Sequence, residues 1–274
     1  MISLVQYIYE AFANGNGGDE FYTTEKDIIK ELKNYSFKGM TVYCNCDDPS
    51  FSKFWKYFYE NFRQLGLKHL IATYYDNDPI RHDYDGKTVK KTPIKSGDFR
   101  DNENIIDECD IVVTNPPFSN NLPNELVRLV VEKHKKKILF LGPLMLAYKK
   151  YIFDFIKSGE LHIGNNQVTD FDRPSSNEGK NRRVFCAWFT NLPVDKPMLK
   201  TGIKFDENTA QYDDSGKYLI CSKYKTIPDD YDKPIATSVN FINHLNYNQF
   251  EILGNKALKQ NGKTRFKQIL IQRK

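Results

Sequence analysis

MTVYCNCDDPSFSKFWKYFYENFRQLGLKHLIATYY, residues 40–75, reads as a single strand-helix-strand unit. MTVYCN (40–45) is a short apolar run of the kind that forms a buried strand. Beyond it Phe51, Phe54, Trp55, Phe58, Phe62 and Leu65 recur at steps of three and four, which predicts an amphipathic helix facing a core. Asp48 or Ser50 is expected to cap that helix, with Pro49 in or just before its first turn. HLIATYY (69–75) returns to strand. Strands joined through a helix pair in parallel and are covered on both faces.

Downstream the alternation continues. A hairpin with a tight turn at Asp85-Gly86 is expected before IKSGDF (94–99), then the strand CDIVVTN (109–115). A helix about NELVRLVVEKHKK (124–136) leads to the strand KILFLG (137–142), after which MLAYKKYIFDFIKSG (145–159) looks helical. ELHIG (160–164) and RRVFCAWFT (182–190) look like strands. The class is therefore α/β, with a mostly parallel central sheet. From about residue 191 the spacing is irregular, with several prolines and a strand signal at KYLICS (217–222). We expect one domain over residues 1–190 and a separate recognition region over 191–274. NGNGG (14–18) follows no strand, so it reads as a flexible turn and not a phosphate loop.

Composition sets limits. In 274 residues, 40% are apolar and 14% aromatic, enough for a substantial core and too much for a disordered chain. No apolar run approaches the ~18 residues that cross a bilayer, and the N-terminus has no secretory pattern, so a cytoplasmic protein with no membrane partner is expected. The five scattered cysteines read as reduced thiols. Cys44-Asn45-Cys46 lacks a second pair at ligand spacing, so no metal is expected. The net charge of +5 is mild, but Lys256 to Lys274 holds seven basic residues and no acid. That stretch suits phosphate contact or a solvated tail, and the apolar run in FKQILIQRK (266–274) favours order. EKHKKKI (132–138) reads as an exposed helix end.

In an open α/β sheet, ligands bind beyond the carboxyl ends of the strands. Those positions hold Asn45, Cys46, Asp47 and Asp48 after the first strand and Asp76 after the second. Asp98-Phe99 precede the next strand, and Asn115-Pro116-Pro117-Phe118 follow it. Asp76 lies about thirty residues past the first strand end, where an acid can hold the hydroxyls of a ribose. Asp98 is a candidate acceptor for an adenine amino group, with Phe99 beside the ring. Each acid alone is equally a loop or capping residue; in this order they sketch a nucleoside site. The proline pair stops the strand, because both rings fix φ and remove an N–H. The resulting stiff loop presents the Asn115 amide and the Pro116 carbonyl.

The TNPPF run after an apolar strand, with acids upstream in this order, resembles the catalytic motif of S-adenosylmethionine-dependent amino-methyltransferases. DEFYTTEKDIIKEL (19–32), FKGMTVYCNCDDPSFSKFWKYF (37–58), NNQVTDFDRP (165–174), WFTNLP (188–193) and NYNQFEILG (246–254) together resemble the EcoRI-type adenine-specific DNA methyltransferases. The resemblance runs from about Asp19 to the C-terminus. It implies a Rossmann-like methyltransferase fold with a C-terminal recognition region, S-adenosyl-L-methionine as cofactor and double-stranded DNA as partner. It also admits a cognate restriction endonuclease encoded nearby. Asn115, Pro116, Pro117 and Phe118 would be catalytic. Phe21, Tyr22 and Thr23 would line the methionine end of the cofactor, although they read equally well as a staple and cap for the helix that follows. Asn45, Asp47, Asp48, Asp76, Asp98 and Phe99 would complete the cofactor site, with CNCDDP standing where such enzymes usually have a glycine-rich turn. Arg173, Arg182, Arg183, Lys263, Arg265 and Lys267 would contact DNA.

The chemistry explains the loop. An exocyclic amine is a poor nucleophile because its lone pair is delocalised into the base. Two acceptors, the Asn115 side-chain oxygen and the Pro116 carbonyl, draw its hydrogens into a pyramidal geometry and stabilise the developing positive charge. Phe118 can stack on the base, which must be flipped from the duplex to arrive there. Two other readings compete: an RNA amino-methyltransferase, since NPPF also serves guanine methylation, and an inactive nucleic-acid-binding homologue. Cytosine-C5 methylation needs a cysteine following proline, and the chain has no such dipeptide.

Overall fold

Val42 stands between two parallel neighbours, paired with Leu70 on one side and Ile111 on the other. The computed structural model describes residues 22–74, 76–118, 121–168, 171–172 and 185–274. In chain order its first strands are β1 (Tyr22–Thr23), β2 (Thr41–Cys44), β3 (His69–Ala72), β4 (Ile80–Tyr84) and β5 (Val89–Pro93). They are followed by β6 (Ile111–Thr114), β7 (Lys137–Pro143), β8 (His162–Val168), β9 (Phe171–Asp172) and β10 (Cys186–Thr190). The helices are α1 (Glu25–Leu32), α2 (Lys53–Glu60), α3 (Phe62–Leu65), α4 (Glu103–Glu108), α5 (Leu122–Val127) and α6 (Lys150–Ser158). The chain divides into two compact units, residues 1–142 with 166–186 and residues 143–165 with 187–274.

The sheet of the first unit runs β5-β4-β3-β2-β6-β7 among the described residues. β2, β3, β6 and β7 are parallel, so their carboxyl ends share one edge, while β4 and β5 add an antiparallel hairpin beyond β3. The chain leaves β2 for β3 on one side and later returns to β6 on the other. Strand order therefore reverses between β2 and β6. All four residues of each of these two strands are buried, as expected of strands covered on both faces.

The helix after β2 differs from the sequence expectation at its start. Ser52, and neither Asp48 nor Ser50, is the cap: its hydroxyl accepts the Trp55 N–H at 3.2 Å. Asp48 instead folds an Asx turn, accepting the Ser50 N–H at 2.8 Å and its hydroxyl at 2.7 Å. That turn delays the helix, so Phe51 falls before its first residue and is exposed, off the apolar stripe that Phe54, Trp55 and Phe58 supply. The helical run also breaks at Asn61, with α3 ending at Gly66 in the left-handed region, φ +65°.

The hairpin turn is where expected. Asp85 accepts the N–H groups of Lys87 and Thr88, both at 2.8 Å. Gly86 is required there, with φ +89° and the Phe62 ring only 2.7 Å from where a Cβ would stand. The run predicted helical over 124–136 starts earlier, as α5, and continues as a π-helical turn over Arg128–Lys133. The run over 145–159 divides into a 3-10 turn, Leu144–Tyr148, and α6.

In the second unit, β11 (Leu219–Cys221), β12 (Ile235–Thr237), β13 (Phe250–Lys256) and β16 (Gln268–Arg273) form a sheet in the order β11-β12-β16-β13. β14 (Lys259–Gln260) and β15 (Lys263–Thr264) make a small hairpin. Asn261 and Gly262 turn it with φ +53° and +72°, the pattern of a type I′ turn. The basic C-terminal stretch is thus ordered strand and hairpin, and the solvated-tail reading is set aside. No helix among the described residues is long and apolar enough to cross a membrane.

Candidate active site

The loops after β2 and β6 leave the sheet side by side at the point where strand order reverses, the place where open α/β sheets bind ligands. Asn45 follows β2 at 1% exposure, and neither atom of its side-chain amide has a hydrogen-bond partner among the described residues. An unpaired buried amide costs roughly 1–3 kcal/mol, which a ligand with a donor and an acceptor would recover.

Asp47 is buried two residues further on. Its Oδ1 accepts the Ser52 hydroxyl at 2.6 Å, its Oδ2 faces the Thr114 hydroxyl at 3.5 Å, and its N–H donates to the Thr73 carbonyl at 3.1 Å. Burial pushes its carboxyl up to about 7, against the pull of the Ser52 and Thr114 hydrogen bonds. Thr114 is the last residue of β6 and immediately precedes Asn115, so this carboxylate links the β2 loop to the proline loop. Asn115 is half-buried, Pro116 buried, and Pro117 and Phe118 half-buried.

The other acids fall into two groups. Asp98 lies near this cluster: the Cys46 thiol, pushed up chiefly by burial, also feels the charges of Asp47 and Asp98. Both oxygens of Asp98 are engaged by Arg100, whose Nε lies 2.9 Å from Oδ1 and 3.1 Å from Oδ2. A ligand amine at Asp98 must therefore share the carboxylate with that guanidinium. Phe99 is buried at 3% exposure beside it. Asp48 and Asp76 gather around Tyr74, whose phenol is raised by burial and then by both carboxylates. Asp76 is exposed and accepts the Asn77 N–H at 2.6 Å.

Phe21 lies outside the described residues, as do Arg173, Arg182 and Arg183. Tyr22 and Thr23 form β1, which pairs antiparallel with β9, Tyr22 opposite Asp172 and Thr23 opposite Phe171. Two distant sequence motifs, DEFYTT and NNQVTDFDRP, thus meet in one ribbon. Thr24, and not Thr23, caps α1, accepting the Asp27 N–H at 3.2 Å. Thr23 is left buried with its hydroxyl unpartnered among the described residues.

Glu31 is a residue the sequence reading passed over. It is fully buried on α1, accepting the Asn166 N–H at 2.8 Å, the Asn166 side-chain amide at 2.7 Å and the Tyr35 hydroxyl at 2.6 Å. It ties α1 to β8 ahead of the β9 ribbon. Its signal was an acid on the same helical face as Ile28 and Leu32.

The basic candidates Lys263, Arg265 and Lys267 sit in the second unit. Lys263 is exposed on β15. Arg265 donates to Gln260 Oε1 at 2.6 Å and Ser222 Oγ at 3.2 Å, both neutral oxygens, so its charge stays available. Lys267 donates to the Tyr148 carbonyl at 2.9 Å.

Known proteins resemble this chain along most of its length. Residues 11–94 and 80–274 match the family described as adenine-specific methyltransferase EcoRI. The Type II methyltransferase M.EcoRI of Escherichia coli is 32% identical over 96% of this chain and 95% of its own length. M.MgeORF184P of Mycoplasma genitalium is 33% identical and M.MpnI of Mycoplasma pneumoniae 34%, each over 86% of this chain and 82% of the relative.

Proposed function

The chain belongs to the family of adenine-specific methyltransferase EcoRI, and from that membership we propose how its residues methylate the N6 amino group of adenine in DNA. The observation that carries the reading is the juxtaposition at the β2–β6 switch point of an unpaired, buried Asn45 amide, a buried Asp47 carboxyl and the Asn115-Pro116 loop. On this reading the first unit has the Rossmann-like methyltransferase fold. Residues 1–190 carry the transfer, and 191–274 recognise the target.

The side chains at this switch point suit S-adenosyl-L-methionine, which when bound supplies a sulfonium-borne methyl group. Asn45 offers a donor and an acceptor that nothing else in the described structure uses. Asp47 is a buried acid whose ionisation a bound ammonium group would favour, and the Thr23 hydroxyl is free to donate. On this reading Asp48 and Asp76 accept from ribose hydroxyls, and Asp98 with Phe99 holds an adenine ring. Asn115 and Pro116 act on the target amine: their oxygens accept its two hydrogens, localise its lone pair and stabilise the charge that develops. The prolines hold the carbonyl in place without a loop to freeze, and Phe118 stacks on the flipped base. Lys263, Arg265 and Lys267, together with Arg173, Arg182 and Arg183, grip the duplex. With bacterial relatives, the compartment is the cytoplasm, and a cognate endonuclease encoded nearby fits a Type II pair.

The test is to incubate the chain with labelled S-adenosylmethionine and unmethylated DNA or RNA and to identify the product nucleoside by mass spectrometry. N6-methyladenine in DNA is expected. Methylated guanine, or label confined to RNA, would overturn the reading.

A further inference from the structure

Phe266 is 66% exposed, the most exposed large apolar residue described, and stands between Arg265 and Lys267 in a stretch without acids. Its backbone is held on both sides. The Arg265 N–H donates to the Leu258 carbonyl at 2.8 Å, and the side-chain amide of Gln268 donates to the Phe266 carbonyl at 2.8 Å. Gln268 opens β16, an inner strand of the second unit's sheet. The ring meets Tyr148 edge-on, centroids 5.6 Å apart at 68°. Tyr148 is fixed in turn, its hydroxyl accepting the Val239 N–H at 2.9 Å and its carbonyl accepting Lys267 Nζ at 2.9 Å.

The Phe266 ring stays exposed although its backbone is held on both sides and Tyr148 packs against it. The cations flanking it in sequence are the complement of a phosphate backbone, while an exposed aromatic ring is the complement of a base. Resting on the DNA-methylating function above, we propose that Phe266 is an apolar wedge that enters the stacked bases of the duplex and helps to release the target adenine. Arg265 and Lys267 hold the strands on either side of it. The wedge is a positioning residue and touches none of the reacting atoms.

The experiment uses the full chain and an oligonucleotide duplex carrying the site that the wild-type protein methylates. Turnover is measured with the target adenine paired to thymine and, separately, opposite a mismatched base that already loosens it. Phe266→Ala should slow methylation of the paired duplex by about tenfold or more, the usual worth of one stacking contact, and of the mismatched duplex far less. Phe266→Trp should restore turnover, and the salt dependence of DNA binding should not change in either variant. An equal loss on both duplexes, or no loss, would overturn the wedge. A wild-type chain that leaves all DNA unmethylated would instead overturn the function on which the wedge rests.

Discussion

Thr114, the last residue of β6, and Asp47, just beyond the neighbouring β2, face each other hydroxyl to carboxylate at 3.5 Å, the long end of hydrogen-bonding distance. One residue precedes the proline loop and the other lies in the loop after β2. The Asp47 carboxyl is buried and pushed up to about 7. The two halves of the proposed site therefore meet at a carboxyl whose burial favours its protonated form.

This has a measurable consequence for the ligand-free chain. Because the folded state binds the Asp47 proton more tightly than the unfolded chain, its stabilising effect is complete below about pH 4 and is lost as pH rises through 7. The full span is on the order of 4 kcal/mol. Asp47→Asn removes the titration, so its melting temperature should fall less than that of wild type between about pH 5 and 8. Parallel melting profiles would show that the carboxylate is ionised throughout.

Asn115→Ala should leave the fold and cofactor affinity largely intact and remove most methyl transfer. The expected loss is roughly 2–4 kcal/mol of transition-state stabilisation, typical of one removed oxygen or donor at a charge-developing centre. Turnover near the wild-type rate would sink the mechanism.

Asp76→Ala and Asp98→Ala should each weaken S-adenosylmethionine binding in calorimetry, with less effect on DNA binding. The two differ in detail, since Asp98→Ala also frees Arg100 from its carboxylate partner. Unchanged affinity in both variants would mean that the nucleoside pocket is misplaced.

The strands at the centre of this site were legible because apolar, β-branched runs bounded by Asn, Asp or Pro have few other readings. Ile111–Thr114 and Thr41–Cys44 formed where the periodicity placed them. Local polar competition was harder to read. Asp48 looked like a helix cap but its side chain took the nearer Ser50 N–H, which moved the helix start to Ser52 and put Phe51 in solvent. Long-range pairing was beyond reach: nothing local in Thr23 or Glu31 announces Phe171 or Asn166 as a partner. The unpaired state of Asn45 is likewise a property of the fold, since it depends on what the neighbouring strands leave unfilled.

Gripping DNA and acting on it should be separable by mutation. Lys263 is exposed, and Arg265 bonds only neutral oxygens among the described residues, so both charges remain for phosphates. Lys267 donates to a carbonyl, which leaves its charge unneutralised as well. Removing one cation from a phosphate should reduce the slope of log affinity against log salt by about one. Replacing Lys263, Arg265 and Lys267 together by glutamine should therefore weaken DNA binding and flatten that slope by up to about three. Cofactor affinity should stay as it was, because all three lie in the second unit and the proposed cofactor residues in the first. An unaltered slope with weakened binding would mean that these side chains only support the hairpin, and an unaltered affinity would place the duplex elsewhere on the protein.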